Sequence, residues 1–368
     1  MIPLWVADMD FRCAEPILEA LRERVEHGVF GYAVPPRELL NVLVERMERK
    51  YQWQIEPSWI VWIPGVVAAL NAVCRAVGDD GDEVLTFTPI YPPFLSAPPL
   101  SRKTLKTIPL HRETNRYTPD TGQFERELSP RSRVLLLCNP HNPVGRRYDP
   151  QEIGRVAEIC VAHDLILCSD EVHCDLVLDG GRHVCAATLS PEVAGRTITL
   201  MAPSKTFNIP GLNCAFAIIQ DERLRARFRK ACEGIVPPVN ALGYAACLAA
   251  YRDCEPWRVA LIDYLRGNRD LVYRFINDQA PALSMNDVQA TYLAWLDTRS
   301  LGLAHPARSF EQFGLALSEG RDFHGPGYVR LNFGCPRTTL VAALDRLASA
   351  VANLRQTRSP VQTDTYLD

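Results

Sequence analysis

The feature of this sequence that most narrows its fold is a series of short runs that stay largely apolar instead of alternating. "WIVWI" (59–63), "EVLTFT" (83–88), "RVLLLCN" (133–139), "LILCSDE" (165–171), "RTITLM" (196–201) and "CAFAII" (214–219) lack the strict period of a half-solvated strand. Successive side chains on a strand point to opposite faces, so such runs must be covered on both sides. Helical stretches such as "VVAALNAVCRAV" and "PQEIGRVAEICVAH" stand between them and supply the cover. The alternation predicts an α/β domain in three layers, a mostly parallel sheet between helices. In such sheets ligands collect beyond the C-terminal strand ends, which makes the residues just after each run the first candidates for function.

Past residue 255 the pattern changes to a long helix ("WRVALIDYLRGNRDLVYRFIND"), two strands ("TYLAWLD", 291–297, and "YVRLNF", 328–333) and a last amphipathic helix from Pro336 to about Leu354. This predicts a smaller α+β domain over 256–355, with residues 1–50 joining it, a large domain over 51–255, and a flexible polar tail over 356–368. A chain of 368 residues is long enough for two such units. Forty basic against forty-three acidic side chains, with no basic run, exclude a nucleic-acid footprint. No segment approaches the ~18 apolar residues of a membrane helix, and "MIPLWVADMDF" has no signal-peptide pattern, so a cytoplasmic protein is expected. The twelve cysteines form no C-x-x-C pair and several lie inside apolar runs, which predicts reduced buried thiols and no metal site.

The strand ends carry a recurring set of chemistries. "LILCS" is followed by Asp170, Glu171 and His173. "RVLLLC" is followed by "NPHNPVG" (139–145), a stiff turn that fixes the amide of Asn142. "WIVWI" runs into Pro64-Gly65 and a helix, whose N-terminus offers free N–H groups to a phosphate. "EVLTFT" is followed by "PIYPPF", which places Tyr91 where an aromatic face can cover a flat ring or simply pack. Each of these alone has an ordinary structural explanation, such as a cap, a turn or a packing contact. Lys205 is different, because its flanks are small, apolar or turn-forming where a solvated surface lysine would have charged neighbours. A lysine at a sheet end with a lowered pKa forms Schiff bases with carbonyls. Pyridoxal phosphate needs such a lysine, a carboxylate at its ring nitrogen, a donor to its phenolic oxygen, an aromatic lid and a helix N-terminus for phosphate. Candidates for all five stand at strand ends here.

In this order "NPHNPVG", "SDEVHCDL" (169–176) and "APSKTFNIPGL" (202–212) resemble the fold-type I pyridoxal-phosphate enzymes of the class I/II aminotransferase superfamily, and within it the MalY/PatB-type C–S lyases, or cystathionine β-lyases. "LWVADMDF" (4–11), "GVFGYAVPP" (28–36), "IPGVVAALN" (63–71) and "YVRLNFGCPR" (328–337) extend the resemblance along nearly the whole chain. The resemblance implies an aspartate-aminotransferase-like fold, pyridoxal 5'-phosphate as cofactor, a small amino-acid substrate, and a homodimer with its active site at the subunit interface.

Carried over residue by residue, it implies that Lys205 binds the cofactor aldehyde and carries the Cα proton. Asp170 pairs with the ring nitrogen, Asn142 bonds the phenolic oxygen, and His173 stands beside it where transaminases commonly have tyrosine. Tyr91 stacks on the ring; Gly65, Val66 and Ser204 hold the phosphate, and Tyr32 reaches the phosphate of a neighbouring subunit. Arg330 clamps the substrate α-carboxylate with its planar fork. Transaminases of the superfamily often carry an arginine eight residues beyond the lysine for the phosphate; here that position is Asn213, so the phosphate grip differs from theirs, which agrees with the lyase branch. Family members also have an arm ahead of "LWVADMDF", and "DFHGPGY" (322–328) is short by comparison. The implied reaction is α,β-elimination on cystathionine or another cysteine S-conjugate. Amino transfer, decarboxylation or oxidative deamination uses the same cofactor, and a regulatory binding protein could use the same fold.

Overall fold

The computed structural model describes residues 1–356; the tail expected over 356–368 lies, from residue 357 on, outside the described residues. Seven strands form the central sheet: β1 (Ile60–Ile63), β2 (Glu83–Thr88), β3 (Thr104–Pro109), β4 (Ser132–Cys138), β5 (Ile166–Asp170), β6 (Thr197–Met201) and β7 (Ala215–Ile218). Their order across the sheet is β1-β7-β6-β5-β4-β2-β3, and only β7 runs antiparallel to its neighbours. This is the α/β fold with a mostly parallel sheet that the apolar runs predict. Both faces are buried, as those runs require. Val134 and Leu136 pack on one side with Val73, Leu200 and Phe228, while Leu135 and Leu137 pack on the other with Ile153 and Val156.

Strand β3 was not expected from the sequence. It is an edge strand with an exposed Thr104 and half-buried Lys106 and Thr107, so its residues "TLKTIP" carry a much weaker apolar signal. Helix α1 (Val66–Ala76) follows β1 directly, so its N-terminus opens at the same sheet edge as the ends of β4, β5 and β6. The 25-residue helix α2 (Glu255–Gln279) leads to a second, four-stranded antiparallel sheet: β8 (Ser284–Met285), β9 (Leu293–Asp297), β10 (Ser318–Glu319) and β11 (Tyr328–Asn332). Helix α3 (Arg337–Gln356) closes the described chain.

Residues 1–50 divide between two cores. Leu4, Ala7 and Met9 pack with Leu331 and Phe333 of the C-terminal part, and Ile2–Pro3 pairs in parallel with Leu315–Ala316. Ile17, Leu39 and Leu43 pack instead with Phe216 and Tyr251. The first ten residues are thereby drawn across the mouth of the region where the sheet ends meet. All twelve cysteines are free, and all but Cys13 and Cys232 are buried. No helix among the described residues is long and apolar enough to cross a membrane.

Candidate active site

A cavity of about 270 Å³ opens at the C-terminal edge of the central sheet, lined by Gly65, Val66, Tyr91, Asn142, Asp170, His173, Ser204 and Lys205. Eight of the residues singled out in the sequence thus meet in one place. The topology accounts for this: β1, β2, β4, β5 and β6 are parallel, so the turns that follow them emerge on one side of the sheet.

Asp170, the last residue of β5, is 4% exposed. One of its oxygens, Oδ1, accepts the Val172 N–H at 3.1 Å, and it has no ion pair among the described residues. Burial pushes its carboxyl up to about 7, with Glu171 adding to the rise and the Val172 N–H and Lys205 opposing it. A carboxylate in this position gains most from a cation brought to it.

Lys205 is the mirror case. Burial lowers its pKa, and the Arg330 guanidinium lowers it further, against the opposing pull of Asp8 and Asp170. The amine therefore becomes neutral, and nucleophilic, more readily than a surface lysine. Its Nζ donates to the Ala7 carbonyl at 2.6 Å, and the Tyr292 hydroxyl donates to the same oxygen at 2.9 Å. Ala7 lies inside "LWVADMDF", the one local signal that could have marked it; Tyr292 carried no signal of its own in the sequence.

Arg330, on β11, is also 4% exposed and faces the site from the second sheet. Its Nη1 donates to Asn142 Oδ1 at 3.0 Å, its Nη2 to the Trp5 carbonyl at 2.7 Å and to Ser318 Oγ at 3.3 Å. The guanidinium lies 4.7 Å over the Phe323 ring, and its Nε has no hydrogen-bond partner among the described residues. Burial lowers its pKa to about 10, which still leaves it charged at neutral pH. A buried cation without a carboxylate is suited to accept one from a ligand.

His173 is 2% exposed, with a buried Nδ1 that lacks a partner among the described residues; its ring meets Tyr292 edge-on at 6.0 Å. Burial, with Lys205 and Arg330 nearby, lowers its pKa to about 3, so the imidazole is neutral. Tyr91 stands at the residue before the Pro92–Leu100 helix, and burial raises its phenol pKa. At the far end, Gly65 precedes α1, and a Cβ there would meet no atom within 4 Å, so the space over this helix end is open to a ligand. Asn213 also lines the cavity.

Tyr32 does not join this group. It is fully exposed, on an apolar stretch with Phe30 and Val34, and lines no part of the cavity within this one chain. Cys174, next to His173 in the chain, accepts a hydrogen bond from the Tyr51 hydroxyl at 3.1 Å, and burial keeps its thiol protonated. Glu171, His183 and Cys185 bring ligand-type atoms within 4.8 Å of one another. The Glu171 oxygens are already engaged by Ser169 Oγ, the Ala186 N–H and His183 Nε2, which accounts for the cluster as buried polar packing.

The donor set fits pyridoxal phosphate. It has an amine of lowered pKa, a buried carboxylate without a counter-charge, a side-chain amide, an aromatic ring and an open helix N-terminus around one cavity.

Comparison with known proteins agrees. Residues 1–347 match the family model for aminotransferase class I and II. The cystathionine beta-lyase PatB of Bacillus subtilis is 36% identical over 358 residues, 95% of this chain and 92% of the relative. Among solved structures, that of OvoB is 46% identical with a TM-score of 0.92, covering 95% of this chain and 92% of the other. Cystalysin from Treponema denticola, whose crystal structure contains pyridoxal 5'-phosphate, is 33% identical with a TM-score of 0.93 over 96% of this chain and 92% of the other. A match over this length, joined to the sheet-end cavity, establishes that the chain belongs to the aminotransferase class I and II family.

Proposed function

We propose that this protein is a pyridoxal-phosphate-dependent C–S β-lyase, which releases the thiol from L-cystathionine or another cysteine S-conjugate. The observation that carries the reading is the convergence on one connected space of the half-buried Lys205 with the buried Asp170 and Arg330, each shifted from its ordinary pKa. The relatives named as cystathionine β-lyases support lyase chemistry, as does Asn213 at the position where transaminases often have arginine. When bound, the cofactor supplies an electron sink for the pair left at Cα when its proton departs.

The residues would then divide the work. Arg330 binds the α-carboxylate and sets which Cα bond faces the cofactor plane. Lys205, freed as a neutral amine, takes the Cα proton. Asp170 holds a positive charge at the ring nitrogen, and its buried setting makes that interaction strong. Asn142, tied to Arg330 Nη1, couples the carboxylate clamp to the phenolic oxygen. Tyr91 covers the ring, His173 packs beside Asn142 as a neutral imidazole, and Gly65, Val66 and Ser204 hold the phosphate at the α1 N-terminus.

The net reaction takes one S-conjugate and one water to a thiol, pyruvate and ammonium. The C–S bond breaks, sulfur leaves with the electron pair and gains a proton, and water supplies the keto oxygen. On this reading 51–255 form the cofactor-binding unit, and 256–355 contribute Arg330. The exposed apolar stretch around Phe30, Tyr32 and Val34 supports a homodimer in which Tyr32 reaches a partner's site. Free buried thiols support a reducing, cytoplasmic location.

Incubation with L-cystathionine is expected to release pyruvate and free thiol in equal amounts without any added keto acid. Product formation only when a keto acid is present would replace the lyase reading by an aminotransferase one. Arg330→Lys, which keeps the charge but loses the fork, is expected to raise KM for the conjugate and lower kcat/KM by about 10- to 100-fold. Steady-state kinetics check this, and an unchanged KM would remove Arg330 from carboxylate binding.

A further inference from the structure

The site opens into a second cavity of about 600 Å³, which shares Ala7, Tyr91 and Lys205 with the first and includes Arg330. Its charge is uneven. Glu311, Glu319 and Asp322 face it, against Arg308 as the one further arginine; His305 also lines the wall. Apolar contact comes from Trp5, Leu317 and Phe323.

We infer that the enzyme prefers cysteine S-conjugates whose leaving thiol carries a cationic nitrogen, and discriminates against those whose leaving thiol is anionic. The inference rests on the C–S lyase reading above. Two independent observations support it. First, Arg330 Nε is buried in this cavity wall without a partner among the described residues, which assigns the anionic end of the amino acid to that side. Second, the wall beyond Lys205 and Arg330 carries Glu311, Glu319 and Asp322, and a substrate whose Cα lies at Lys205 and whose carboxylate lies at Arg330 would direct its sulfur substituent toward that wall. There the three carboxylates outnumber Arg308.

The supporting elements hold these groups in place. Glu319 is on β10, next to Ser318, which pairs in register with Arg330 and donates its hydroxyl to the Trp5 carbonyl at 2.7 Å. Glu319 Oε2 accepts the Ala307 N–H at 3.2 Å, which fixes the carboxylate without neutralising it. Glu311 lies on the short helix Pro306–Glu311 that faces β10, and Asp322 on the turn that carries Phe323 under the guanidinium. Glu311, Asp322 and Arg308 have no ion pair among the described residues, so their charges are available to a ligand. The α-carboxylate and the distal nitrogen thus meet opposite charges in one cavity. A zwitterionic distal end, as in cystathionine, satisfies the carboxylates with its ammonium and Arg308 with its carboxylate.

Three conjugates of similar size test this on the holoenzyme: S-(2-aminoethyl)-, S-propyl- and S-(2-carboxyethyl)-L-cysteine, assayed by pyruvate release and by spectral titration of the bound cofactor. The expected order in kcat/KM and in affinity is aminoethyl, propyl, carboxyethyl, with the first exceeding the last by about tenfold, the scale of a few partly exposed ion contacts. Glu319→Gln combined with Asp322→Asn is expected to lose more on the aminoethyl than on the propyl conjugate. Equal or better handling of the carboxyethyl conjugate, or a ratio that the double variant leaves unmoved, overturns the inference. Should no conjugate yield pyruvate while the affinity order holds, the lyase reading fails and the charge preference stands.

Discussion

Lys205→Ala is expected to abolish elimination, with turnover falling by about 10⁴-fold or more, the upper end of what one positioned proton carrier contributes. The size follows from two roles in one side chain. On the proposed reading, the variant leaves the cofactor without its covalent anchor and removes the amine that takes the Cα proton. His173 cannot take over, because burial lowers its pKa to about 3, and Tyr91 cannot, because burial raises its phenol pKa. The fold should tolerate the change. Among the described residues Lys205 makes one side-chain hydrogen bond, to the Ala7 carbonyl, and Tyr292 continues to satisfy that oxygen. The measurement is pyruvate release beside thermal melting of the empty protein. Retention of more than about one per cent of the rate with an intact fold would assign the proton transfer to another group.

The second large effect is expected at Asp170. On the proposed reading Asp170→Asn removes the charge behind the ring nitrogen, and a loss of about 10²- to 10³-fold in turnover is expected, the scale of one preorganised electrostatic partner. The same residue predicts a pH signature in the empty protein. Its carboxyl is raised from 3.8 to about 7 by burial, so folding favours the protonated form. That contribution is fully present below the ordinary value and is lost as pH rises through about 7. The empty Asn variant should therefore be more stable than the parent at pH 8, with the gap closing as pH falls toward 4. Melting temperatures across this range decide the matter. A parent that matches the variant at every pH would mean that the carboxylate is already neutralised by a protein group, leaving no role for a ring cation. Activity and stability pull in opposite directions here, as they do where a site keeps an uncompensated charge for a ligand.

How much of this was visible in the sequence depended on where the information sits. Asp170 ends an apolar run, and Tyr91, Asn142 and Lys205 stand in the turns just after one, so the rule that ligands meet at strand ends was enough to group them. Arg330 was legible only through its motif, because it approaches from β11 in a different sheet and nothing local announces that approach. The Ala7 and Trp5 carbonyls left no side-chain signal; their parts depend on the first ten residues crossing the site, which Ile2–Pro3 pairing with Leu315–Ala316 enforces over a long separation. Strand β3 was hidden by its exposed edge, and the Pro92–Leu100 helix by Pro98 and Pro99 within it, where propensity argues against a helix and tertiary packing prevails. Tyr32, legible only by resemblance, stands fully exposed in one chain, so its role depends on a second copy.

The central claim is that the Lys205 amine forms the covalent bond to the cofactor aldehyde. Borohydride reduction of the holoenzyme, followed by proteolysis and mass spectrometry, tests it most directly. A reduced pyridoxyl group found on the peptide containing Lys205 is the predicted result; an unmodified Lys205, or the label on a different lysine, would contradict the account.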